Sequence, residues 1–186
     1  MNRRRQLGAL SGAGFVATVV AANVLTSRFG FVPVGFGLTA TAGTYAAGLA
    51  LALRDSTQDG LGRVAVLVLV VIGAGLSALL ADPMIALASG VAFLLSELVD
   101  FAVYTPLRAR ARVGDRRWSL AVVASNLAGA VVDTVVFVGI AFGTAVIWPA
   151  MPGQLVGKAW STLAYLLAGV VIARALLRDR VRTRGH

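Results

Sequence analysis

Six apolar runs, most of them close to bilayer length, leave this chain little way to fold in water. They cover residues 7–25, 31–53, 64–80, 84–104, 120–147 and 158–177. A helix needs ~20 apolar residues to cross the hydrocarbon core. Six such spans use roughly 120 residues, most of the 186 available. The expectation is an all-α integral membrane protein of six transmembrane helices, forming one domain over residues 1–186. Residues 1–6 and 178–186 read as basic tails. Only 13% of residues are charged, about half the share in soluble domains.

The position of the charges gives the orientation. Three arginines (Arg3, Arg4, Arg5) precede the first run, and five (Arg108, Arg110, Arg112, Arg116, Arg117) fill the link between the fourth and fifth. Arg54 and Arg63 flank a polar link after the second run, and Arg174, Arg178, Arg180, Arg182 and Arg184 close the chain. With the N-terminus inside, every Lys and Arg except Arg28 and Lys158 falls on one side. The positive-inside rule then places both termini in the cytoplasm and the protein in the plasma (cell inner) membrane as a multi-pass protein. The net charge of +9 is thereby explained without nucleic acid, and the bilayer is the partner that it implies. The basic start and apolar first run have the outline of a signal peptide, but five further runs follow, so the first is read as a retained helix. Its Ala9, Ala13, Ala17 and Ala21 recur every fourth residue, a spacing that lets helices approach closely. Packing inside the bundle is the reading given to that stripe. The second run contains Pro33 and a cluster of glycines and threonines. A start of this kind reads as broken or re-entrant, which is tolerated where it lines protein or a cavity.

Three carboxylates lie inside apolar runs: Glu97, Asp100 and Asp133. A carboxylate near the bilayer centre costs at least ~2.5 kcal/mol and normally faces a protein interior or a water-filled cavity. Glu97, Asp100 and Tyr104 share one helical face by their i, i+3, i+7 spacing, and Asn126, Gly129, Asp133 and Phe137 share a face of the next helix. At ~1.5 Å per residue, Glu97 and Asp133 fall at similar depth on two helices joined by a short link. Pairing with polar neighbours, for packing alone, is the bland account of these groups. A polar site in the membrane is the sharper one.

Chemistry is narrowed by what is missing. There is no cysteine, and the single histidine is the terminal His186. That leaves no thiolate metal site, no His-based catalysis, and no motif for nucleotide phosphates or metalloprotease zinc. The expectation is a protein that is not an enzyme and uses no cofactor or metal.

At these residues the chain resembles the vitamin uptake transporters, also called queuosine precursor transporters. Asn23 followed by Arg28 resembles one family element. Asp55, Asp59 and Gly62 resemble its D-x-x-x-E-x-x-G pattern, and Ser96-Glu97 its S-E pair. Ser125, Gly129, Asp133 and Thr134 are similar to S-T-x-x-G-x-x-x-D-S, followed by Phe137 and Ala141-Phe142 for F-x-x-x-A-F. The likeness spans residues 23–158. It departs at Asn126, Ala130 and Leu61, and at Thr41-Ala42, where an aromatic-Pro pair is missing. The resemblance implies import of 7-cyano- or 7-aminomethyl-7-deazaguanine, or a similar nucleobase-like molecule. A guanine-like edge offers two N–H donors beside a carbonyl, which a carboxylate and an amide can satisfy. Asp133 or Glu97 is then the carboxylate and Asn126 the amide. Tyr104, Phe137 and Trp160 are candidates for stacking on the base. Asp100, Asn23, Asp55 and Lys158 complete the candidate set, Lys158 also being readable as a snorkelling interfacial cation.

Two other functions fit the same runs. One is a substrate-binding subunit of an energy-coupling-factor importer, docked through the alanine stripe onto an ATPase partner. The other is a structural membrane protein. A homo-oligomer is compatible with either.

Overall fold

A computed structural model describes residues 3–108 and 116–183. It contains six helices: α1 (Arg3–Phe29), α2 (Thr44–Leu61), α3 (Arg63–Leu80), α4 (Pro83–Arg108), α5 (Arg116–Phe142) and α6 (Ile147–Thr183). Between α1 and α2 lies an antiparallel hairpin, β1 (Phe31–Gly35) and β2 (Leu38–Thr41), with Phe31 opposite Thr41 and Val32 opposite Ala40.

The hairpin corrects the expected second span. Residues 31–41 combine β-branched and aromatic residues with Pro33, Gly35 and Gly37, a composition that favours strands and a tight turn over a helix. Gly35, Phe36 and Gly37 at the tip all have positive φ. The helix therefore starts only at Thr44 and runs through the segment expected as a polar link. Only Gly62 separates α2 from α3, and its φ of 88° is a conformation that suits glycine. Two other boundaries move. α4 continues past Pro106 to Arg108, and α6 starts at Ile147, so Pro149 and Pro152 lie in its first turns. Pro149 is tolerated there because the first four N–H groups of a helix have no intrahelical partner, whereas Pro152 lies inside the helix.

Arg5–Phe29, Arg63–Leu80 and Val123–Phe142 are long and apolar enough to cross a bilayer, and Pro83–Val99 is a shorter apolar stretch. α3 turns Val64, Val68, Val71, Leu79 and Leu80 outward, as a lipid-facing helix does. α2 and α6 are less apolar because they carry Arg54, Asp55 and Lys158. The fold is a helical membrane bundle plus one hairpin.

The apolar core is built by α1, α2, α3 and α4. Phe15, Ala50, Val66 and Val70 are buried in it, with Phe93 tilted against Phe15 at 5.7 Å between ring centres. α1 and α2 touch closely: a Cβ on Gly8 would stand 2.8 Å from the Cα of Gly60. The alanine stripe is not part of this packing. Ala9, Ala13, Ala17 and Ala21 are exposed, because Gly8, Gly12 and Phe15 supply the inward face.

The hairpin is seated on α6 through a glycine. A Cβ on Gly153 would stand 1.8 Å from the carbonyl oxygen of Thr39 and 2.6 Å from its carbon. Gly153→Ala is expected to push β2 off α6 and cost about 1–3 kcal/mol, the usual range for overpacking. A melting temperature unchanged from wild type would show that the hairpin does not depend on this contact.

Candidate functional site

A cavity of about 1040 Å³ lies between α1, α2, α4, α5, α6 and β2. α3 does not line it. Its polar groups form three stations.

At the hairpin end, Thr41, Thr44 and Gln154 are buried and joined. Thr44 donates to Oε1 of Gln154 at 2.6 Å, Nε2 of Gln154 donates to Thr41 at 3.0 Å, and the two threonine hydroxyls lie 3.0 Å apart. This links hairpin, α2 and α6. The backbone N–H of Gly43 donates to Thr26 of α1 at 3.0 Å, tying the start of α2 to its neighbour.

One helical turn along α6 comes the second station. Lys158 Nζ donates to Asp133 Oδ2 at 2.6 Å, to the Thr134 hydroxyl at 2.9 Å and to the Ala130 carbonyl at 3.1 Å. All three ammonium donors are thereby used. Asp133 keeps its second oxygen, Oδ1, without a hydrogen-bond partner among the described residues. Phe137, one turn beyond on the same face of α5, also lines the cavity.

The third station is Arg54 on α2. One guanidinium nitrogen binds Asp55 at 2.6 Å, and the other pairs with Glu97 of α4. Arg54 is mostly buried, and its Nε has no hydrogen-bond partner among the described residues. Asp55 is exposed at 66%. Ten residues of helix, about 15 Å, separate Arg54 from Thr44, whereas Lys158 is one turn from Gln154. Counted along the helices from the hairpin end, the Arg54–Glu97 pair lies farther out than the Lys158–Asp133 pair.

The sequence candidates divide as follows. Glu97, Asp133, Phe137, Asn23, Asp55 and Lys158 line this one cavity. Asn23 is also tied to the core, its Nδ2 donating to buried Ser77 of α3 at 2.9 Å. Trp160 is half-exposed and is not among the cavity-lining residues. Two residues beyond Lys158, it lies about 200° around the helix. Asp100 and Tyr104 on α4 and Asn126 on α5 have side chains that lie outside the described residues, as do residues 109–115 of the basic link. Lys158 lies three turns into α6, and its ammonium is paired with Asp133. Arg54, Gln154 and the two threonines were not singled out from sequence. Arg54 was hidden by the run boundary that put it in a loop. Gln154 sat among prolines that suggested a loop.

A family model described as putative vitamin uptake transporter matches residues 10–173. The chain belongs to this family. No curated protein and no solved structure matches it. Family membership makes the cavity the candidate site of a membrane transporter, and the matched span contains all three stations.

Proposed function

We propose that this vitamin uptake transporter family member imports a flat, donor-rich, nucleobase-like molecule through the plasma membrane, with 7-cyano- or 7-aminomethyl-7-deazaguanine as the substrate class. The observation that carries the reading is the pairing of an open carboxylate oxygen on Asp133 with the ring of Phe137 on the same wall of one cavity. A carboxylate accepts the N–H groups of a guanine-like edge, and an aromatic ring stacks on its face. Phe93 and Tyr165 extend the aromatic lining. The volume is sufficient for such a ligand together with water.

The test is uptake by the purified chain in liposomes without any partner. Radiolabelled 7-cyano-7-deazaguanine should accumulate, and excess guanine-like base should compete while unrelated vitamins should not. A vitamin that competes where the deazaguanines do not would sink this substrate assignment.

A second reading has one observation in its favour. The exposed stripe of Ala9, Ala13, Ala17 and Ala21 has no partner helix among the described residues, and small residues at this spacing suit close helix contact. In that reading the chain is the substrate-binding subunit of an energy-coupled importer. Transport that appears only on adding an ATPase module decides for it.

The orientation has its own check. With both termini cytoplasmic, a reporter fused after His186 should be active on the cytoplasmic side alone. Activity on the far side would overturn the assignment.

A further inference from the structure

The charged groups of the cavity are unequally committed. Among the described lining residues, Arg54 and Lys158 stand against Asp55, Glu97 and Asp133, one negative charge in excess. Lys158 has no donor left, since Asp133, Thr134 and Ala130 take all three. Arg54 is held between two carboxylates. Arg54 keeps an unused donor in its buried Nε, but both cations are already paired with carboxylates, so an anionic ligand would meet no cation without a counter-charge among these residues and would approach carboxylates on both walls. Acceptors, by contrast, remain. Oδ1 of Asp133 has no described partner, and each carboxylate oxygen can take two hydrogen bonds.

From this we infer that the cavity selects its ligand by charge: it takes neutral and cationic N–H-rich molecules and rejects carboxylate-bearing ones. The inference rests on the cavity being the transport site, as proposed above, and it adds a rule that the ring alone does not give. Among deazaguanines, it places the aminomethyl form, a cation, at or above the neutral cyano form. It places a 7-carboxy form far below both. Among vitamins, it disfavours those that carry a free carboxylate.

The test uses three molecules with one ring. 7-Aminomethyl-, 7-cyano- and 7-carboxy-7-deazaguanine differ in the charge of one substituent, so ring recognition cancels. Unit charges 4 Å apart in a partly buried site interact strongly enough that the carboxy form should bind at least about tenfold more weakly than the cyano form. A carboxy form that binds as tightly as the cyano form, or tighter, overturns the charge rule and leaves the deazaguanine reading standing.

A second measurement does not depend on the ring. The chain has no cysteine, and Ser89 lines the cavity, so Ser89→Cys places a single thiol there. Its rate of reaction with a cationic methanethiosulfonate should exceed that with an anionic one about tenfold, after correction for their rates on a free thiol. Equal corrected rates, or a faster anion, overturn the rule. Faster cationic labelling with no deazaguanine bound keeps the rule and removes the substrate assignment.

Discussion

Asp133→Asn should cost the protein about 3 kcal/mol of stability and at least tenfold in ligand affinity, and only the first of these losses should be recoverable. The change keeps the shape of the side chain. It removes the charge that neutralises Lys158, whose side chain is 16% exposed. Removing one partner of a buried ion pair costs about 3–5 kcal/mol because the other charge is left uncompensated. Asp133 keeps 32% of its side chain exposed, so the lower end of that range applies. The affinity loss has a separate origin. A charge-assisted hydrogen bond from the ligand is worth about 1.5–3 kcal/mol, and Asn can turn a donor toward the ligand's donors.

The double variant Asp133→Asn with Lys158→Met separates the two effects. It removes both charges together, and exchanging a whole buried pair for uncharged groups is often neutral. Its melting temperature should return toward wild type while deazaguanine binding stays lost. Normal binding in the well-folded double variant would take Asp133 out of the site. A single Asp133→Asn variant as stable as wild type would show that the pair with Lys158 is not structural.

Six helices, an inward polar site and the family were all legible in the chain, because apolar length, misplaced carboxylates and motif order are local properties of a sequence. What escaped depended on contacts between distant residues. Arg54 reads as an ordinary interfacial arginine until Glu97, from another helix, is placed against it. Lys158 reads as a snorkelling residue because Pro149 and Pro152 suggest that the helix has not yet begun; they lie instead in its first turns. Residues 31–41 read as a broken or re-entrant start, because of Pro33 and its glycines, but not as a hairpin. Their tertiary setting, a bed on α6 made possible by Gly153, is what lets a two-stranded hairpin persist there. Three candidates chosen by helical spacing, Asp100, Tyr104 and Asn126, have side chains outside the described residues.

The Arg54 station makes the most asymmetric expectation. One cation faces two carboxylates, Asp55 and Glu97. Glu97→Gln leaves Arg54 with Asp55 as counter-charge, and a neutral amide can still accept a hydrogen bond. Arg54→Gln leaves two carboxylates near one another, one of them largely buried, with no cation among their described neighbours. Arg54→Gln should therefore be the more damaging change, by about 3 kcal/mol or more, and Glu97→Gln should cost roughly 1 kcal/mol, near the net worth of one hydrogen bond. Combining the two should recover most of the loss, since the remaining Asp55 is exposed and solvated. Melting temperatures of the three variants in one detergent give the order directly. If Glu97→Gln proves as costly as Arg54→Gln, then the Asp55 contact contributes nothing and Arg54 is held by Glu97 alone.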